Sequence, residues 1–332
     1  MSNSVLSKYD FALTVDGKPY NVRDHFDVLN PASEQIIASA PDADSAAVAS
    51  ALAAAVRAAP VWAKVSVSER VARVRDFASR IEEQQEALSH LLVLEQGKPL
   101  ASARAELVES LDYLTTLADL TEAEFQFSSI HAESGTKVIR RPLGVVTGIT
   151  AWNYPVQLAC SKLAMAVLTG NATVIKPSPY TPLTTLALGQ ISREVFPQGI
   201  VSVLSGQDPL GERITAHPAI AKIGFTGSSR TGCAIAKSTA ESQKRLTLEL
   251  GGNDAAIVLP EAGLAETVDA IEGAGGRVRG WTVDLAEPGV AERAVEEAVA
   301  HFGGLDILIN NAGISIFTSV DADNYLEIWD KH

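Results

Sequence analysis

The sequence predicts an α/β protein built on a doubly wound parallel sheet, with an incomplete second βαβ unit appended to it. Two observations carry that reading. Between Gly144 and Gly252, apolar runs of strand length alternate regularly with helical stretches. The strand runs are continuous rather than alternating, so they are expected to be buried on both faces, as in parallel sheets covered by helices. After Pro260 the texture changes, and a shorter strand-helix alternation begins.

Residues 1–40 read as short strands and turns, ending with VLNPASEQIIASAP. From Asp42 to about Ala63 the chain is alanine-rich and helical. Ser66 opens a second helix, with Glu69 three residues on at capping-box spacing. Val71, Val74, Ala78 and Ile81 continue its apolar stripe. A further helix covers about 100–125, and 128–146 reads as an extended ribbon. The alternation then places strands at 144–151, 172–178, 201–206, 222–227 and 245–252. Helices are expected at 155–171, 183–196, before His217, and at 228–242. Beyond Pro260, helices are expected at 264–276 and 290–304, the second with Ala291, Val295, Ala298 and Phe302 inward. Strands are expected at 277–285 and 305–313. Two strands cannot cover their own faces well, so this unit needs a partner sheet. The division reads as 1–260 and 264–332.

Composition narrows the function. The 332 residues are 46% hydrophobic, enough for a substantial core. The net charge of −13 argues against nucleic-acid or anionic-membrane partners, which need a basic surface. No stretch reads as a membrane span, and MSNSVLSKYDFALTVDG lacks the pattern of a secretory signal. Only two cysteines are present, Cys160 and Cys233, so a disulfide framework is excluded and a reducing cytoplasm is expected. The six histidines form no ligand pair, and no metal site is expected.

Candidate chemistry collects at predicted strand ends, where open α/β sheets place their ligands. In TAWNYP, the Asn153 amide could stabilise a developing oxyanion. In VIKPSP, Lys176 suits a ribose or a phosphate. In FTGSSRTG, Gly227 allows close backbone approach, and Ser228 starts a helix whose free N–H groups favour a phosphate. Glu249 in LELGG is placed to act as a general base. Each alone has a plain structural reading as a turn residue, surface lysine, helix cap or ion-pair partner. Their order, each at a strand end, makes the joint reading specific.

These stretches, with VLNPAS, LEQGKP (94–99), RRPLGVV and GNATVIKPS, make residues from about 8 to 260 resemble the Rossmann-like, cofactor-binding part of the aldehyde dehydrogenase superfamily. The resemblance implies roles. Asn153 would help form the oxyanion hole, Lys176 would contact the adenosine ribose, and Gly227 and Ser228 would meet the pyrophosphate. Glu249 would activate the hydrolytic water. The implied cofactor set extends to Trp152, Ser178, Pro179, Gly232 and Leu250, with NAD or NADP as cofactor and a small aldehyde as substrate. Two departures stand out. The family usually has an acid where Pro179 stands, which loosens NAD preference toward NADP or dual use. Its nucleophilic cysteine, a few dozen residues after LELGG, has no counterpart here. Cys160 and Cys233 lie in helices and read as small hydrophobes, so aldehyde oxidation by this chain is expected to be impaired.

Residues from about 264 to 332 resemble the middle of a short-chain dehydrogenase/reductase, on AGGRVRGWTVDL and HFGGLDILINNAG. That resemblance implies Asp284 near an adenine and Asn310 to Gly313 beside a cofactor. The YxxxK pair is missing: four residues after Tyr325 stands Trp329. The chain thus reads as two incomplete oxidoreductase segments, truncated and fused. The alternatives are a short-chain dehydrogenase-like enzyme and a non-catalytic cofactor-binding or oligomerisation product. The ribbon at 128–146 resembles the first family's oligomerisation strands, so a homo-oligomer or pairing with an intact homologue is expected.

Overall fold

The computed structural model describes residues 5–124, 128–130, 136–252 and 289–304, with 269, 272–273, 275 and 277–279 between them. Contacts divide the chain into two compact units, Met1–Gly251 and Gly252–His332, a boundary somewhat earlier than the one expected near residue 260.

The first unit opens with a hairpin of β1 (Leu13–Val15) and β2 (Lys18–Tyr20). Its turn is Asp16–Gly17, both at positive φ (51° and 69°), the pair of left-handed conformations that a two-residue hairpin needs. A second antiparallel pair follows, β3 (His25–Leu29) and β4 (Ile36–Pro41). Four helices come next: α1 (Ser45–Trp62), α2 (Val67–Glu82), α3 (Gln85–Gln96) and α4 (Leu100–Glu124). The expected ribbon is present as β5 (Ser128–Ile130) paired antiparallel with β6 (Lys137–Ile139). The alternation then runs β7 (Val145–Ile149), α5 (Pro155–Leu168), β8 (Ala172–Lys176), α6 (Leu183–Val195), β9 (Val201–Val203), α7 (Asp208–Ala216), β10 (Ile220–Gly227), α8 (Ser229–Thr239) and β11 (Arg245–Leu250).

The sheet order is β11-β10-β7-β8-β9-β1-β2. Strands β7 to β11 are parallel to their neighbours, as expected. The all-parallel expectation needs one correction: β1 joins β9 antiparallel and brings β2 with it. The strands β7, β8 and β9 are laid down in one direction, and the chain then crosses back to place β10 on the other side of β7. Right-handed crossovers therefore set α5 and α6 on one face and α7 and α8 on the other. The point of reversal, between β7 and β10, is where such sheets open a crevice.

The helices form where their signals lie. Asp44 caps α1, its side chain accepting from Ala47 N at 2.7 Å. Ser66 caps α2, accepting from Glu69 N at 3.1 Å, and Val71, Val74, Ala78 and Ile81 are all buried. Helix α3 is an element the sequence reading left out; it ends at Gly97, whose φ of 86° closes the helix in the left-handed region. Helix α1 corrects another expectation. Its 18 residues, with a mean hydropathy of 1.3, are long and apolar enough to cross a bilayer. Here Ala47, Val48, Ala51, Leu52 and Ala55 are buried, the helix packs along β1, β7, β8 and β9, and Trp62 Nε1 donates to Val167 O at 2.9 Å. It is a core helix of this unit.

In the second unit, α9 (Val290–Phe302) occupies the expected place, between Gly289 and Gly303 at φ 77° and 86°. Val295, Ala298 and Phe302 are half-buried, matching the inward stripe. Of the strand expected over 277–285, residues 277–279 adopt no strand; instead Arg277 donates to His301 O at 3.4 Å. The rest of that strand, the strand at 305–313, and Asp284, Asn310 to Gly313, Tyr325 and Trp329 lie outside the described residues, as does most of the helix at 264–276.

Candidate functional site

The parallel register fixes which residues meet at the sheet's C-terminal edge. Leu248, Phe225, Ile149 and Lys176 form one row across β11, β10, β7 and β8. Glu249 pairs with Thr226, and Leu250 with Gly227, on the rows just beyond. A cavity of about 950 Å3 opens over this edge. Nine of the ten residues singled out from the sequence line it: Trp152, Asn153, Lys176, Ser178, Pro179, Gly227, Ser228, Glu249 and Leu250; the tenth, Gly232, does not, and packs instead against the Leu250 side chain.

Each residue is held by its local structure. Lys176 ends β8, is 6% exposed, and has its Nζ 3.2 Å from Pro177 O. Burial lowers its ammonium to about 8, against the pull of Asp208 and Asp42. A buried cation with one weak neighbour is costly unless a ligand completes its hydrogen bonds. Gly227 ends β10: a Cβ there would lie 2.6 Å from Cζ of Phe225. Ser228 is the N-cap of α8, accepting from Thr231 N at 3.3 Å, so the first N–H groups of α8 face the cavity without intrahelical partners. Glycine, a capping serine and a helix start together make an anion site. This cradle and the buried cation fit a dinucleotide spanning the edge.

Glu249 is exposed to the cavity. Lys162 of α5, which the sequence reading passed over, faces it. Its Nζ donates to Thr226 Oγ1 at 2.8 Å. Burial lowers the Lys162 ammonium below the usual lysine range, and the Glu249 carboxylate works against that. The cysteines fall elsewhere. Cys160 is buried in α5, and burial, with Glu106 nearby, pushes its thiol up to about 12. Cys233 is exposed on α8. Neither lines the cavity.

Two buried glutamates that the sequence reading also missed set the frame. Helices α5 and α6 begin without a side-chain cap of their own. Glu106, from α4, accepts from Val156 N at 2.9 Å and Gln157 N at 3.3 Å at the start of α5. It also pairs with Lys98, whose Nζ donates to Asn153 O at 2.9 Å and lies 4.2 Å from the Tyr154 ring centre. The Asn153 turn is thus tied to the helical layer. Glu95, at the end of α3, accepts from Leu183 N at 2.6 Å and Thr184 N at 2.9 Å, and from Thr184 Oγ1, at the start of α6.

Burial pushes the Glu95 carboxyl from 4.5 up to about 7, against donors that favour its anion. A raised carboxyl pKa means its stabilising contribution is complete below about 4.5 and is lost as pH rises through about 7. Melting temperatures of the parent and Glu95→Gln, compared from pH 5 to 8, are expected to show the parent losing stability relative to the variant as pH rises. A difference that stays constant with pH would contradict this assignment.

A doubly wound sheet with an anion cradle and a buried cation along one edge defines an α/β nucleotide-binding domain. The chain matches the aldehyde dehydrogenase family over residues 19–281 and belongs to that family. A probable aldehyde dehydrogenase from a Pseudomonas species is 40% identical over 255 residues, covering 76% of this chain and 51% of that protein. The betaine aldehyde dehydrogenase of Vibrio vulnificus is 35% identical, over 77% of this chain and 54% of that protein. Among solved structures, betaine aldehyde dehydrogenase from Staphylococcus aureus in complex with NAD+ superposes with a TM-score of 0.76 at 29% identity, over 82% of this chain and 56% of that one. The chain therefore spans about half the length of the relatives it matches. The family match runs to residue 281, past the expected start at 264 of a segment of another family.

Proposed function

We propose that this polypeptide is the dinucleotide-binding portion of an aldehyde-oxidising enzyme and takes NAD or NADP along the sheet edge. The observation that carries this is the convergence of Lys176, the Gly227–Ser228 turn and Glu249 on one cavity. Lys176, with Ser178 and Pro179 beside it, would hold the adenosine ribose. Gly227, Ser228 and the start of α8 would hold the pyrophosphate, with Gly232 keeping α8 close to Leu250. Trp152 and Asn153 would border the reacting end, where the Asn153 amide can donate to a developing oxyanion. Glu249, facing Lys162, would accept a proton from water. When bound, the dinucleotide would supply the two-electron acceptor. A thiolate nucleophile would have to stand at the same edge, and neither Cys160 nor Cys233 does. The 332 residues by themselves are thus expected to bind cofactor without turning over.

Residues 264–332 are read as a segment of short-chain dehydrogenase type, on WTVDL and NNAG, and α9 lies where that reading expects a helix. The β5–β6 ribbon is read as a pairing strand for a second copy or an intact homologue, and the compartment as cytoplasmic. The test is a paired assay of the purified chain with NAD or NADP and a panel of small aldehydes. Saturable dinucleotide binding with no cofactor reduction is expected. Steady reduction would overturn the impaired part of the proposal, and absence of binding would overturn the whole.

A further inference from the structure

The end of the cavity around Lys176 is walled by α7, and that wall is acidic. Asp208, Gly211, Glu212 and Thr215 all line the cavity. They stand at i, i+3, i+4 and i+7, one face of the helix. The helix lies close along the lysine: a Cβ on Gly211 would sit 3.9 Å from Lys176 Cε. The start of α7 is anchored, since Gln207 N donates to Asp42 Oδ1 at 3.2 Å. Asp42 and Asp208 both act electrostatically on the Lys176 ammonium. Arg230, the other cation among the described residues lining the cavity, is in the first turn of α8 beside Ser228, where the proposed phosphate cradle lies.

We propose that Asp208 takes over the carboxylate role that Pro179 cannot perform, so that this site recognises an unmodified adenosine ribose and rejects a 2′-phosphate. The inference rests on the dinucleotide-binding reading above and gives it a direction. A ribose diol donates to a carboxylate and accepts from an ammonium, so the Asp208–Lys176 combination suits it. A 2′-phosphate adds about −1.5 to −2 charges. It would sit against Asp208 and Glu212, with Lys176 and Arg230 as the cations among the described residues that line the cavity. Like charges brought together without compensation cost affinity. On this proposal the proline at 179 does not open the site to NADP, because the acid is supplied from a different element, α7.

The test is equilibrium titration of the full chain with NAD and with NADP, for the parent, Asp208→Asn and Asp208→Lys. Asp208 is exposed, so both substitutions leave the core alone. The ratio of the two dissociation constants within one variant does not depend on how much of the sample is folded. The parent is expected to favour NAD by about tenfold or more, Asp208→Asn to bring the ratio within about threefold of one, and Asp208→Lys to favour NADP. Binding of both dinucleotides with a ratio that Asp208 substitutions leave unchanged overturns this inference alone. A parent that favours NADP does the same. Binding of neither overturns the dinucleotide reading and the inference with it.

Discussion

Glu106→Ala is expected to destabilise the Met1–Gly251 unit by about 3–5 kcal/mol, the range for removing one partner of a buried ion pair. The carboxylate serves three donors at once. It caps α5 through Val156 N and Gln157 N, and it pairs with Lys98, whose side chain is 10% exposed while that of Glu106 is fully buried. Alanine leaves two helix-start amides unsatisfied and a cation with little water. For a unit of this size the loss corresponds to roughly 10 °C in melting temperature. Glu106→Gln keeps an acceptor for the amides but loses the charge opposite Lys98, and should fall between. Thermal or urea melts check both. Glu106→Ala melting within about 1 kcal/mol of the parent would show that α5 does not depend on this remote cap, since ordinary substitutions fall in that range. The consequence is local: Lys98 also holds Asn153 O, so the turn that carries the proposed oxyanion donor should loosen with the cap.

Lys176→Met is expected to separate binding from stability. Burial lowers Lys176 from 10.5 to about 8. A depressed lysine pKa means the stabilising contribution is present above about 10.5 and lost as pH falls through about 8. At pH 7 the buried ammonium is therefore a cost to the fold. Methionine fills a similar volume without the charge, so the melting temperature should stay level or rise. Dinucleotide affinity should fall by about tenfold or more, the loss of a charge-assisted hydrogen bond worth roughly 1.5–3 kcal/mol. A variant that melts lower and binds as well as the parent would assign Lys176 to the fold and not to the cofactor.

The elements that sequence reading found are those with local signals. Asp44 and Ser66 cap helices three residues away, and the strands β7 to β11 are each complete within three to eight residues. The site was legible for the same reason: WNYP, KPS, FTGS and LELGG each end a strand, and a parallel sheet brings strand ends to one edge. What was not legible depends on residues far apart in the chain. Glu106 and Val156 are separated by 50 positions, and Glu95 and Leu183 by 88. Nothing near either glutamate signals a cap for a helix that begins so much later. Asp208 is the same case. Its place on the cavity wall with Lys176 follows from the crossover that carries the chain through α7 from β9 back to β10. Pro179 reads as an acid lost, and the carboxylate proposed to stand in for it, Asp208, comes from another element.

On the proposed function, the C-terminal edge of the β8-β7-β10-β11 row is a working dinucleotide site in this chain. Hydrogen exchange read by mass spectrometry, with and without saturating NAD, tests it most directly. Slowed exchange is expected in the peptides covering 150–153, 176–180 and 226–235, with unchanged exchange at the opposite edge of the sheet, around Arg140, Lys222 and Arg245. Protection confined to that opposite edge, or none at any of the three stretches, would contradict it.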